Sequence, residues 1–432
     1  MLSGTPSLPY PQWRFPTAYA HAAYLSSRVA LGFPSPLPRT SSRVAISTDV
    51  TDRGVMSTGV SASSTVWGTV DGREIHRVDL DTTEGFGVSF ATYGATLLSV
   101  RTGDKDGTIE EVTLQHDTLE GVVAGNSYYG ATIGRVCNRI AGASFSVDGE
   151  EFLLDANDGP NCLHGGKKGF DKAVWRHELV QDGVRFEHDS PDGEGGFPGA
   201  LAVKVTYSVK RGSEPGTGEL HAKMEATYVA DSIAAKGDKK NVPCPVNLTN
   251  HAYWNLSGNR KRSVREHDLM LRCDRYLPLD DNQIPTGELA PVLGTFFDFS
   301  KEKSLGSAID GIGGDPPGLD HCMVRAGTSG DGRAKNGEDP DALPLIARLR
   351  DAESGRVMEV FGSQPSVQVY TANYLSVDPA DRPHARHYAV CLETQHFPDA
   401  VNRQEWANAV LLQPGVTYLE RAKHVFTVGT GR

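Results

Sequence analysis

From Thr65 to the C-terminus, apolar and polar residues alternate in short runs separated by glycine, proline and aspartate. Arg77–Asp81 and Val88–Val100 alternate first, with Gly94 interrupting the second run as a bulge or bend would. Glu111–Leu114 predicts another short strand. The pair Asp148-Gly149 between two alternating runs predicts a hairpin. Val184–His188, Leu201–Val209 and Leu220–Val229 predict a meander, and strands resume at Ala347–Arg350, Arg356–Phe361, Ser366–Leu375, Tyr388–Gln395, Gly415–Glu420 and Lys423–Val428. No long amphipathic helix and no repeat of 20 to 50 residues is legible. The pattern is all-β, and periodicity alone leaves sandwich and barrel open.

Three stretches depart from it. Residues 1 to about 60 hold no acidic residue before Asp49 and are rich in serine and proline. That composition fits an organelle transit peptide, a disordered extension, or an upstream start with Met56 as the real beginning. The segment is set apart from a folded domain spanning 61–432, which is cytoplasmic, or organellar if the extension is a transit peptide. Asp231–Asn241 and Arg325–Pro344 read as polar surface insertions.

Charge and cysteines narrow the function. A formal net charge of −11 argues against a nucleic-acid partner. No apolar run approaches the roughly 20 residues that span a membrane. The six cysteines form no C-x-x-C pair, so neither a zinc knuckle nor a disulfide framework is indicated, and reduced intracellular thiols are the expectation.

Candidate chemistry lies at a few places. Along Tyr388–Gln395, Tyr388, Val390 and Leu392 face one way, and Ala389, Cys391, Glu393 and Gln395 the other. Small residues leave a hollow beside Glu393, and a carboxylate in a hollow is partly desolvated and becomes a stronger base. The bland alternative is a solvated glutamate at a strand end. Read as one strand, Asn247–Leu256 places Asn247, Thr249, His251, Tyr253 and Asn255 on a single polar face, which suits a binding surface. Asn138, Arg139 and His164 lie among glycines, where backbone can approach a ligand; an ion-pair arginine and a turn histidine are the alternatives. Asp320 lies in a Gly/Pro-rich loop that an Asx turn would also explain.

Seven motifs agree with one family. They are the stretches 134–141 (Gly-Arg-x-x-Asn-Arg-Ile-Ala), 161–175 (Asn-x-Leu-His-Gly-Gly-x-x-Gly-Phe-Asp-Lys-x-x-Trp) and 248–253 (Leu-Thr-Asn-His-x-Tyr). The others are 285–288 (Pro-Thr-Gly-Glu), 318–321 (Gly-x-Asp-His), 367–373 (Val-Gln-x-Tyr-Thr-x-Asn) and 393–400 (Glu-Thr-Gln-x-Phe-Pro-Asp-Ala). In this order the chain resembles the aldose 1-epimerases, or galactose mutarotases, over nearly all of its folded part. The resemblance implies a large antiparallel β-sandwich, no metal or other cofactor, a free aldose as substrate, and a monomer. It implies Glu393 as general base, His251 as general acid and His164 as a second active-site histidine. Asn138, Arg139, Asp320 and Gln368 match sugar-binding positions. Trp254, Cys137 and Cys162 depart from the more usual residues.

Mutarotation opens a hemiacetal ring and recloses it on the other face of C1, so one base and one acid suffice. A charged His251, kept so by a nearby carboxylate, and a bell-shaped pH profile within about pH 5 to 8 are expected. Two alternatives are a hexose-6-phosphate epimerase, which calls for basic groups near C6, and a non-catalytic sugar-binding module.

Overall fold

The computed structural model describes residues 59–229, 242–332, 343–377 and 384–429. All but the last two residues of the N-terminal segment, and the whole 231–241 insertion, lie outside them.

Two antiparallel sheets carry the fold. The larger has nine strands and contains the meander Gly183–Ser190, Leu201–Arg211 and Gly218–Tyr228, followed by Thr417–Val428, Arg356–Gly362 and Leu345–Arg350. Leu201–Arg211 and Gly218–Tyr228 bury every second residue, as strands with one wet face do. The smaller sheet has six strands in the order Tyr253–Trp254, Val390–Gln395, Ser366–Tyr370, Asp320–Arg325, Cys273–Tyr276 and Ala290–Pro291. Its strand Val390–Gln395 is buried on both faces.

One apolar core joins the two sheets. Leu392, Val367 and Val369 from the smaller sheet share it with Val205, Met224 and Phe426 from the larger. Trp254 packs against Phe426 across the gap, with ring centroids 5.6 Å apart. This is a sandwich, the architecture the resemblance implied. A five-stranded sheet, Val60 to Glu111, joins the same core through Phe90, which stacks on Tyr207 at 4.6 Å. The longest helix among the described residues is Leu305–Ile312, and no helix there is long and apolar enough to cross a membrane.

Local sequence explains the breaks. Gly94 adopts φ 68° and separates Gly87–Ala91 from Thr96–Gly103; a Cβ there would lie 2.5 Å from the Asp171 carbonyl oxygen. Asp148 and Gly149 both take positive φ and close the hairpin of Ser144–Val147 with Glu150–Leu153.

Two expectations need correction. Asp320 opens a strand rather than sitting in a loop, because its backbone pairs with Tyr370. The stretch read as an insertion from Arg325 does not begin there: Arg325 ends that strand and is buried, and Thr328 is buried after it. Glycine and aspartate content signalled polarity but not the strand that precedes it. Residues 333–342 of that stretch lie outside the described ones.

Candidate active site

Register builds the floor of the site. Glu393 pairs with Gln368, Cys391 with both Tyr370 and Tyr253, and Asp320 with Tyr370. Directly paired residues share a face, as do residues two apart on one strand. Tyr253, Cys391, Glu393, Gln368, Tyr370 and Asp320 therefore stand on one face of the smaller sheet. Leu392 and Thr394 point the other way, into the sandwich.

The stretch Asn247–Leu256 does not run as one strand. Thr249–Asn250 pairs with Thr132–Ile133, and Tyr253–Trp254 pairs with the Glu393 strand. Between them, the His251 backbone accepts from Gly130 N at 2.9 Å and donates to Ala131 O at 3.0 Å. Of the five residues placed on one face, His251 and Tyr253 line the cavity. The other three are fasteners: Asn247 Nδ2 donates to His396 O, Thr249 Oγ1 to Thr394 O, and Asn255 Nδ2 to Tyr388 O. Short polar side chains on a segment that changes partner satisfy the carbonyls of the neighbouring strand. They hold His251 against Glu393.

A third wall comes from the glycine-rich motifs. Arg139–Ile140 pairs with Cys162–Leu163. Asn138 and His164 both take positive φ, and each backbone amide bonds the other residue, Asn138 N to His164 Nδ1 at 3.2 Å and His164 N to Asn138 O at 3.1 Å. With Nδ1 an acceptor, a neutral His164 carries its proton on Nε2.

These walls enclose a cavity of about 440 Å³ lined by all seven residues singled out from sequence. His251 Nε2 lies 3.8 Å from Glu393 Oε1, with both side chains almost fully buried. Gln368 Nε2 donates to Asp320 Oδ1 at 2.7 Å, and Arg139 Nε donates to Asp158 Oδ2 at 2.7 Å. Glu393 Oε2 and Gln368 Oε1 are buried without a protein partner.

Burial sets the electrostatics. It raises the Glu393 carboxyl well above its ordinary range, and the neighbouring Asp320 adds to the rise. It raises Asp320 too, against the pull of Arg139 and the Gln368 hydrogen bond. It pushes His251 down to about 4 and His164 well below its ordinary value. The expectation that a carboxylate keeps His251 charged is not met in the free site: desolvation by burial lowers its pKa, offset only by a backbone hydrogen bond. Within the pair, the carboxyl therefore holds a proton more tightly than the imidazole does.

The Cys391 Sγ stands 3.6 Å from His251 Nδ1, and burial keeps the thiol protonated. Its S–H is available to Nδ1, which leaves the imidazole proton on Nε2, toward Glu393. His251, Cys391 and Glu393 bring ligand-type atoms within 4.8 Å of one another. A metal would need the thiol and the carboxyl deprotonated, and burial opposes both.

Sequence reasoning missed the aromatic walls. Tyr128 lines the cavity, with its ring centroid 4.7 Å from His164 and 5.9 Å from His251. Tyr370 and Tyr374 line it as well. Tyr370 sat inside a recognised motif, whereas Tyr128 carried no local signal.

A model of the aldose 1-epimerase family matches residues 76–423. The chain belongs to the aldose 1-epimerase family. It is 39% identical to human galactose mutarotase over 334 residues, covering 77% of this chain and 88% of that protein. It is 33% identical to Escherichia coli aldose 1-epimerase over 362 residues, covering 82% and 96%. The crystal structure of an aldose epimerase homologue from C. elegans matches with a TM-score of 0.67 and 26% identity, over 81% of this chain and 97% of that one. The galactose 1-epimerase of Lactobacillus acidophilus matches in fold with a TM-score of 0.69 at 24% identity, over 86% and 100%. Within this epimerase the seven motif residues converge from strands and turns more than 250 residues apart in sequence.

Proposed function

We propose that this aldose 1-epimerase interconverts the α and β anomers of free aldohexoses such as D-galactose and D-glucose through the His251–Glu393 pair. The observation that carries the reading is that pair: a histidine and a carboxyl 3.8 Å apart, in a cavity lined by hydrogen-bonding groups.

In the forward step Glu393 takes the C1 hydroxyl proton while His251 delivers one to the ring oxygen. The C5–O5 hemiacetal oxygen leaves C1, and a carbonyl forms there. Rotation about C1–C2 presents the other carbonyl face, and the two groups exchange roles on closure. For this step a proton must sit on His251 and none on Glu393. Sugar hydroxyls favour that arrangement, because donors to a carboxylate stabilise its charged form, and Glu393 Oε2 has no donor in the free protein. A buried acceptor left unpaired costs about 1–3 kcal/mol, so a polyol that supplies the missing donors binds with a gain. His164, with its proton on Nε2, is a neutral donor to a sugar oxygen. Asp320, Arg139, Asn138 and Gln368 hold ring hydroxyls.

The lining argues for a neutral sugar over a hexose phosphate. Among the described residues Arg139 is the single Lys or Arg lining the cavity, against four carboxyls, Asp158, Asp281, Asp320 and Glu393. A phosphate site needs the reverse balance. A binding module has no need of the acid–base pair.

The test is polarimetry of freshly dissolved α-D-galactose and α-D-glucose with the wild type and Glu393→Gln. Acceleration over the spontaneous rate, lost in the variant, is expected. Equal acceleration by both proteins would remove Glu393 from the mechanism, and binding without acceleration would make the protein a sugar-binding module.

A further inference from the structure

Asp158 belongs to none of the roles above, yet it faces the cavity and holds the one guanidinium that lines it among the described residues. Its place is built rather than incidental. Asn157 clamps the chain six residues on, with Leu163 N donating to Asn157 Oδ1 at 2.8 Å and Asn157 Nδ2 donating to Leu163 O at 2.9 Å. Asp158 bridges Asn161 across the turn, and Leu163 pairs with Arg139 in the adjoining ladder. Two short ladders therefore carry the carboxylate to Arg139 Nε at 2.7 Å.

A guanidinium facing a sugar pocket is by nature a receptor for carboxylate or phosphate. Asp158 already fills that role, and the remaining carboxyls leave no compensating positive charge among the described lining residues. We propose that Asp158 is a specificity-determining residue: by neutralising Arg139 it confines the pocket to uncharged aldoses and rejects uronic acids and sugar phosphates. Like charge rejects a competitor more strongly than a missing contact does. The inference rests on the aldose 1-epimerase reading and deepens it.

Asp158→Asn isolates the charge, since the amide oxygen still accepts from Arg139 Nε. Binding of D-galactose, D-galacturonate and D-galactose 6-phosphate is titrated calorimetrically at low and high salt, and each ligand is then tested as an inhibitor of galactose mutarotation. The expected result is a rise of about tenfold in affinity for both anions relative to galactose, shrinking at high salt, with the galactose KM moved less than about threefold. Asp281→Asn is the control for bulk charge. An unchanged anion-to-galactose ratio in Asp158→Asn, or an equal rise in Asp281→Asn, would overturn the proposal. Absence of mutarotation by the wild type would instead overturn the underlying reading, and the binding ratios would still decide the role of Asp158.

Discussion

Two buried glutamates, Glu393 and Glu420, lie on facing strands of the sandwich and end in opposite circumstances. Both are almost fully buried, and burial raises both carboxyls, that of Glu420 to about 8. Glu420 is provided for: Thr394 Oγ1 donates to its Oε1 at 2.8 Å, and Tyr418 OH donates to its Oε2 at 3.1 Å while accepting from Gln364 Nε2. Glu393, one residue from Thr394 on the opposite face, has an oxygen with no protein partner and a histidine 3.8 Å away. The difference teaches where chemistry sits. A raised pKa marks burial and is common to both. An unmet hydrogen-bonding need beside an acid–base partner, in a cavity, belongs to Glu393 alone of the two.

Glu393→Gln should have the largest effect. A positioned proton transfer contributes typically about 10²–10⁴-fold, so kcat should fall by at least about a hundredfold with sugar binding nearly intact. The unfolding midpoint at neutral pH should rise, because a carboxyl that folding desolvates is replaced by a neutral amide. Loss of binding together with loss of folding would assign Glu393 a structural role.

Next in size is the pH profile. Below about pH 4 His251 gains a proton while Glu393 is already protonated, and the pair loses its base. Above the raised Glu393 value the pair holds no proton and loses its acid. The acid limb of kcat/KM should therefore lie near pH 4 and the alkaline limb above the ordinary carboxylate range; this replaces the sequence-based bell within about pH 5 to 8. An acid limb near 6.5 would show His251 to be solvated and would undo its pairing with Glu393.

Asp320→Ala should raise KM about tenfold with a smaller effect on kcat, since a hydrogen bond to a charged group is worth about 1.5–3 kcal/mol. An unchanged KM would leave Asp320 as a partner of Gln368 only.

Glu420→Gln should have the smallest effect on turnover, within about twofold, and show itself in stability. Below the ordinary value of 4.5 both folded and unfolded chains hold the proton. Above it the unfolded chain releases its proton first, so stability is lost as pH rises toward about 8. The penalty reaches on the order of 3 kcal/mol at neutral pH. Unfolding midpoints across that range should decline with pH in the wild type and flatten in the variant. A large loss of kcat would place Glu420 in the catalytic apparatus and erase the contrast.

Much of the site was legible from residue type and local period. Alternation along Tyr388–Gln395 placed Glu393 and Cys391 on one face and Leu392 on the other, and the structure agrees. The Asp148-Gly149 hairpin followed from two positions that need positive φ. The segment around His251 was misread because period-2 logic assumes one continuous ladder, and this chain changes partner between Asn250 and Tyr253. The Arg139–Asp158 bond and the Tyr128 wall were invisible, since neither leaves a periodic trace.

By itself the sequence determined the all-β class, the positions of many turns, and the residue types able to trade protons and hydroxyl contacts. Those follow from backbone sterics and side-chain chemistry, which act within a few residues. Tertiary structure alone decided that the strands close as a sandwich, that Asp320 begins a strand, and that burial raises the Glu393 carboxyl while lowering the His251 imidazole. Register between strands far apart in the chain is chosen by the burial of whole sheet faces. The pKa of a buried group is set by all the surfaces that exclude water from it, and no single stretch of sequence contains them.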